Sequence, residues 1–364
     1  MSGPIAKATI AEIEPYKAGK AKAAGYDKPI KISANENALG CSPAASRAYV
    51  ALANTLHVYP DPQANALRDA LAQEHGLEPS QVLFGTGSDE IFSMAAQAYL
   101  NPGDEMVQPQ FAFAAWAIAA RAAGATVIAA PERDYTIDVD AMLAAVTPRT
   151  RMMFVANPAS PTGTFIPFAE IKRLHAALPE NVLLVLDGAY AEFAEGRADF
   201  DAGFDLARAA PNIIVTRTFS KLYGLAALRL GWCYSNPKII QTLNKIRLPF
   251  NASSGAQAAA IAALNDRDFS ARSLARVEAG RAQLSAFFAE IGLAPLPAFA
   301  NFVTVRVTEA TPQTAADIEQ ALAERGILVR GLQNYAMPDC LRITIGTEAE
   351  MQCLETALRS ILAR

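Results

Sequence analysis

Between Val82 and Ser235 the chain repeats one pattern: a short apolar run, a turn of glycine, proline, asparagine or aspartate, then a helical period. Apolar or strand-like runs fall at Val82–Phe84, Glu105–Gln108, Ala125–Ala129, Arg151–Ala156, Val182–Leu186 and Arg229–Ser235, and helical patterns at Glu90–Tyr99, from Trp116 onward and at Pro167–Leu178. Strands alternating with helices predict an α/β fold, a mainly parallel sheet wrapped by helices. The run Val182-Leu-Leu-Val-Leu186 has no polar alternation, so it reads as a strand covered on both faces. In such open sheets ligands collect at the carboxyl ends of the strands, and two segments stand at ends of this kind: Ala156-Asn-Pro-Ala-Ser-Pro-Thr-Gly163, and Asp187.

At 364 residues the chain is long for one core, so a large domain with a smaller partner is expected. The proline break Arg247-Leu-Pro-Phe-Asn251 marks the candidate boundary. Beyond it come helices at Ser254–Ala263 and Phe269–Ile291, then Asn301–Val307, a helix Thr314–Arg325, Ile327–Arg330, Cys340–Ile345 and a last helix from Glu348, a compact α+β unit. Before Pro43 a short helix ending near Tyr16–Gly19 leads to Ile32–Asn37, which is too little to fold alone and reads as an arm packed on a domain or a second subunit. The expected division is an arm, 1–32, a large domain, 33–248, and a small domain, 249–364.

A net charge of −4 with mixed signs leaves no electrostatic footprint for nucleic acid or an anionic membrane, which favours small-molecule partners. No run of about twenty apolar residues would span a bilayer, and the amino-terminal residues lack the apolar core of a signal peptide; a soluble, cytoplasmic protein is expected. Four cysteines and three histidines are scattered without ligand spacing, so no metal site and no disulfide framework is expected.

The chemistry concentrates in Thr216-Arg-Thr-Phe-Ser-Lys-Leu-Tyr-Gly224 and Arg229. A lysine among apolar residues either finds a counter-charge or gives up its proton, and the neutral amine is a nucleophile able to form a Schiff base. Thr218 offers a hydroxyl near Lys221, and Arg229 a planar fork of donors, both suited to a phosphate. The combination suggests pyridoxal 5′-phosphate; taken alone the segment equally fits an ordinary surface loop.

Gly87-Ser-Asp89 opens a helix, where outward N–H groups of Gly87, Ser88 and Asp89 would make a second anion contact, although a plain strand-to-helix turn has the same spacing. Asp187 needs a positive partner, which a protonated pyridine nitrogen would supply, or else caps the following turn. Phe111, Phe113 and Trp116 offer flat faces that could stack on a ring or pack in the core. Tyr59 sits on a stiff proline-flanked segment, and Tyr16 and Asn35 on the arm; each also has a local reading, as packed aromatic, surface or cap.

Together these motifs resemble the fold type I pyridoxal-phosphate aminotransferases, and within them the branch acting on histidinol phosphate. The similarity runs through Tyr16, Asn35-Glu-Asn37, Tyr59-Pro-Asp61, Gly87-Ser-Asp-Glu90, Pro161-Thr-Gly163, Asp187, Ser220-Lys-Leu-Tyr-Gly224, Arg229, Asn301-Phe302, Arg330 and Leu341-Arg342. It implies a seven-stranded type of sheet in a large cofactor domain and a homodimer. Lys221 would hold the cofactor and move the substrate proton, Asp187 pair with the ring nitrogen, and Tyr190 bond the ring's phenolic oxygen. Ser88, Asp89, Thr218, Ser220, Arg229 and the neighbouring subunit's copy of Tyr59 would hold the phosphate, with Phe113, or Phe111 in reserve, against the ring. Arg342 would clamp the substrate anion, beside Arg330, Tyr16 and Asn35.

Two positions depart from the family pattern: Ser160 stands where an asparagine usually precedes Pro-Thr-Gly, and Gly188 where many relatives carry glutamate. The implied reaction is transamination between an amino donor and a 2-oxo acid, with L-histidinol phosphate and 2-oxoglutarate giving imidazole acetol phosphate and L-glutamate in histidine biosynthesis. An aromatic amino acid aminotransferase, a decarboxylase of a phosphorylated amino acid and a non-catalytic cofactor-binding protein are the alternatives.

Overall fold

Seven strands form the central sheet: β1 (Val82–Thr86), β2 (Glu105–Pro109), β3 (Thr126–Ala130), β4 (Thr150–Ala156), β5 (Leu183–Asp187), β6 (Ile213–Thr218) and β7 (Leu230–Ser235). The computed structural model describes residues 3–17 and 19–363, so Met1, Ser2 and Ala18 of the expected arm, and Arg364, lie outside the described residues. The strand order is β1-β7-β6-β5-β4-β2-β3, and only β7 runs antiparallel to its neighbours. This is the α/β, mainly parallel architecture the sequence rhythm requires.

Alternate residues along each strand enter opposite layers. Leu184, Leu186, Ile213 and Val215 join one apolar core, while Leu183, Val185 and Ile214 join the core on the other face. Burial on both faces is why these strands read as unbroken apolar runs. It also leaves the strand ends as the place where polar side chains of the sheet can meet solvent or a ligand.

A second sheet lies in the carboxyl-terminal part, with β8 (Ala294–Pro295), β9 (Phe302–Arg306), β10 (Arg330–Leu332) and β11 (Met337–Thr344) in the order β8-β9-β11-β10. The long helix Arg267–Glu290 and the helices Ala315–Ala323 and Glu348–Leu362 supply apolar side chains to its core. The two later helices each begin with a reciprocal capping box, at Thr314/Asp317 and Thr347/Glu350.

Two local expectations change. The helix expected to end near Tyr16–Gly19 covers only Ala8–Ala11; Glu14-Pro15 lies just beyond, and a proline cannot donate the N–H that would continue the turn. Ile327–Arg330 is not one strand: Ile327–Leu328 pairs in parallel with Ile30–Lys31 of the arm, and Arg330 begins β10. Among the described residues no helix is long and apolar enough to cross a membrane.

Candidate active site

The carboxyl ends of β5 and β6, the amino end of the helix Ser88–Tyr99, the strands β10 and β11, and the arm together enclose a cavity of about 670 Å³. Its wall includes Lys221, Asp187, Tyr190, Thr218, Ser220 and Arg229 from the large sheet's loops. Ser88, Asp89, Phe113 and Ser160 complete that side, and Tyr16, Asn35, Arg330 and Arg342 close the other. Fourteen of the residues named from sequence therefore meet at one place, although the chain separates Tyr16 from Arg342 by most of its length.

Asp187 ends β5 in a fully enclosed position. Its Oδ1 accepts the Ala189 N–H and the Thr216 hydroxyl, each at 3.1 Å, and no described residue donates to Oδ2. Burial pushes this carboxyl up to about 7 against the opposing pull of those two donors. A buried acid in that state calls for a cation, and the ion pairs among described residues provide none.

Tyr190 lies three residues on. Its hydroxyl accepts the Asn35 amide N–H at 2.7 Å, and the Lys221 ammonium stands 5.4 Å from its ring centroid. Burial raises the phenol's pKa, but the cations Lys221 and Arg342, with hydrogen bonds from Asn35 and Ser160, outweigh it and the net shift is downward. Asn35 reaches the hydroxyl because its backbone adopts a left-handed φ of 57°, its N–H donates to Thr344 Oγ1 and its side-chain Oδ1 accepts the Thr344 hydroxyl.

Around the helix start, Arg229 holds Ser220 Oγ at 3.3 Å and Asp89 Oδ2 at 3.1 Å. Ser88 begins the helix with no side-chain cap, leaving first-turn N–H groups for an anion. Gly87 does not serve as expected: its N–H donates to the Arg229 carbonyl at 3.0 Å, extending the β1–β7 edge. Its own role is room, since at φ 74° a Cβ would run into the Arg229 guanidinium.

On the opposite wall Arg342 donates to Ser160 Oγ at 3.4 Å and to the Ser33 carbonyl at 3.3 Å, while its Nε is buried without a partner. Arg330 pairs with Arg342 in register across β10 and β11 and donates to the Lys17 carbonyl, fastening the arm. Neither arginine has a carboxylate among the described ion pairs, although each is 8% exposed. Buried guanidinium groups without paired acids can receive a ligand anion.

The reserve aromatic separates from the first. Phe113 lines the cavity edge-on to Tyr16 at 6.1 Å, whereas Phe111 stacks on Tyr135 outside it. Tyr59 stays away from its own chain's cavity; 77% exposed, it stacks on Phe250 at 4.5 Å. Gly188 gives Arg217 its place, because a Cβ there would come within 2.9 Å of Arg217 Cδ.

Sequence reasoning missed Lys31, Glu36 and Tyr335 in the wall. Lys31 and Glu36 form an ion pair of 2.8 Å at the arm, and Glu36 lay between the two asparagines already singled out. Tyr335 sits in a three-residue 3-10 turn with no periodic signal.

Residues 27–358 match the family described as aminotransferase class I and II. The chain is 47% identical to a histidinol-phosphate aminotransferase of Maricaulis maris, with 98% of each chain covered. It is 48% identical to histidinol-phosphate aminotransferase 1 of Caulobacter vibrioides, covering 98% of this chain and 99% of that one. The solved histidinol-phosphate aminotransferase of Sinorhizobium meliloti, in complex with pyridoxal-5′-phosphate, superposes with a TM-score of 0.86 at 32% identity over 92% of both chains.

Proposed function

The chain belongs to the class I and II aminotransferases, and on that premise we propose that it moves the amino group of L-histidinol phosphate to 2-oxoglutarate, a step of histidine biosynthesis giving imidazole acetol phosphate and L-glutamate. The observation that carries the reading is the pair Arg330 and Arg342, buried and without acids beside Tyr190 and Ser160. Both substrates of this reaction are anions, one a phosphomonoester and one a dicarboxylate, and a planar fork of donors accommodates either.

The cavity fits pyridoxal 5′-phosphate. Asp187 awaits a cation, Lys221 Nζ has no ion pair among the described residues, and an uncapped helix start lies beside Arg229 and Ser220. When bound, the cofactor supplies an aldehyde for amine chemistry and an electron-withdrawing ring that spreads negative charge from the substrate's Cα.

This chain's residues do the rest. Lys221 takes the proton from the substrate's Cα and returns one, as general base and acid. Asp187 would pair with a protonated ring nitrogen, and Tyr190, held by Asn35, would with Ser160 bond the phenolic oxygen. Arg229, Ser220, Thr218 and the N–H groups of Ser88 and Asp89 would hold the phosphate, and Phe113 would flank the ring. Arg342, with Arg330 and Tyr16 beside it, fixes the substrate anion so that the scissile C–H faces the lysine.

The Tyr16–Phe113 edge pair at the cavity also suits a phenyl ring, the observation that keeps an aromatic amino acid aminotransferase as the second reading. Single-turnover loss of the cofactor's aldehyde absorbance, measured separately with histidinol phosphate, phenylalanine and glutamate, separates the two. A higher rate constant with phenylalanine than with histidinol phosphate would overturn the first.

The functional unit is read as a cytoplasmic homodimer. Leu56, 83% exposed, lies with Tyr49, Val58, Tyr59 and Phe250 in one apolar surface hollow, and a second copy covering it would bring Tyr59 to the partner's phosphate site. The arm, large and small parts are assigned as 1–32, 33–248 and 249–364; the Ile30–Lys31 pairing with Ile327–Leu328 supports the arm's place on the small part, whereas the helix Ser254–Asn265 just after the Pro249 break packs its alanines into the core of the large part.

A further inference from the structure

Beyond the groups that face the cavity, a small hairpin stands behind its aromatic wall. Glu132–Arg133 pairs with Thr136–Ile137, and the turn between them places Asp134 and Tyr135 at φ values of 50° and 60°. Both left-handed values are those of a two-residue hairpin turn, a place where glycine or asparagine is usual and a tyrosine is not.

The surroundings of this tyrosine are parts of the site. Its ring stacks on Phe111 at 5.3 Å with 28° between planes, and its carbonyl accepts the Thr164 hydroxyl at 2.8 Å, four residues after Ser160. Phe111 and Tyr135 pack together against Leu332, Tyr335, Met337 and Cys340 of the carboxyl-terminal part. From the same hairpin, Glu132 Oε1 accepts the Phe111 N–H at 3.0 Å.

Glu132 is otherwise expensive. Its Oε2 is buried without a partner, and burial raises the carboxyl to about 7. An apolar hairpin would be cheaper to fold, so the carboxylate's one bond is the reason to look for a task. Two residues beyond that bond, Phe113 caps the helix Ala114–Ala123 and turns its ring into the cavity.

We propose that Glu132 and Tyr135 are positioning residues that clamp Phe111 and thereby fix Phe113 against the cofactor ring, so that the fit of the bound cofactor depends on a hairpin that never touches it. This rests on the reading of Phe113 as the flanking ring.

The test uses the full chain prepared without cofactor and titrated with pyridoxal 5′-phosphate, following affinity and the visible circular dichroism of the bound form, with thermal melting of the cofactor-free protein as a folding control. Glu132→Ala should weaken binding about tenfold and alter the dichroism, the scale of one lost charge-assisted bond. Glu132→Gln keeps an acceptor and should recover most of the affinity. Tyr135→Gly suits the turn's backbone yet removes the stack, so it should fold and still show the loss. Phe113→Ala reports on the underlying reading: wild-type affinity and dichroism there remove the flanking role itself. A loss in Phe113→Ala beside wild-type behaviour in Glu132→Ala and Tyr135→Gly overturns the positioning proposal alone, as would Glu132→Gln failing as badly as Glu132→Ala.

Discussion

Arg330 and Arg342 face one another across β10 and β11, both buried, and no carboxylate of a described residue answers either. Like charges in register are destabilising, so their juxtaposition makes sense as half of an interaction completed by an anionic substrate. The two are not equivalent. The described bond of Arg330 goes to the Lys17 carbonyl and fastens the arm, while Arg342, bonded to Ser160 Oγ and the Ser33 carbonyl at the cavity, still has an Nε buried without a partner.

Arg342 should therefore carry the larger share of substrate binding. Arg342→Ala is expected to lower kcat/KM for both glutamate and histidinol phosphate by about 10²–10³-fold, in line with removal of a charge-assisted, bidentate contact. Arg342→Lys should recover little, because a point charge does not replace the fork. Steady-state kinetics with a parallel cofactor titration check this; weakened cofactor binding of the same size would show that Arg342 serves the cofactor instead.

Asp187 makes stability depend on pH in the cofactor-free protein. Its folded-state value, about 7, lies above its ordinary value of 3.8, so the folded chain holds that proton more tightly. The resulting stabilisation is complete below the ordinary value and disappears as pH rises through about 7. Asp187→Asn should remove this fall and melt higher than wild type at pH 8 without cofactor, yet bind cofactor more weakly. Melting curves from pH 4 to 8 with and without cofactor decide it, and parallel cofactor-free curves for the two proteins would count against the assignment.

Ser160 should tune the lysine–cofactor chromophore. One hydroxyl there meets both the Arg342 N–H and Tyr190, so it has less to give the phenolic oxygen than an asparagine amide. Ser160→Asn is expected to lower the protonation midpoint of that chromophore by about half a unit to one unit, since donation to the phenolate favours the deprotonated form. An absorbance titration checks the sign; no change, or a rise, sinks the account.

Tyr59 should matter only between two copies of the chain. Tyr59→Phe is expected to weaken cofactor retention several-fold, with turnover at saturating cofactor nearly unchanged, because the hydroxyl reaches no part of its own cavity. Equilibrium dialysis gives the affinity and sedimentation the assembly state. Unchanged affinity in a dimer would remove the tyrosine from the phosphate site.

Much of this was readable in one dimension because it was written in contiguous segments. Strands buried on both faces appear as runs such as Leu183–Leu186, and Asp187 is marked by ending one of them. Thr218, Ser220, Lys221 and Arg229 lie within a dozen residues and suggest a phosphate-bearing cofactor once the other motifs stand beside them. Other features had no such signature. The Gly87 N–H looked available until β7 came alongside to take it, Tyr335 came from a three-residue turn, and no local pattern marks Glu132.

The sequence by itself determined the alternation of strand and helix, the candidate for the cofactor anchor and the supply of arginines, because hydrophobic periodicity and residue chemistry are local properties. The tertiary structure decided which donors remained free, which aromatic faced inward, and that Arg330 and Arg342 would share a site with neither paired to a carboxylate of a described residue. Those outcomes depend on which distant groups claim each hydrogen bond and each patch of apolar surface, and that competition is settled only when the chain is folded.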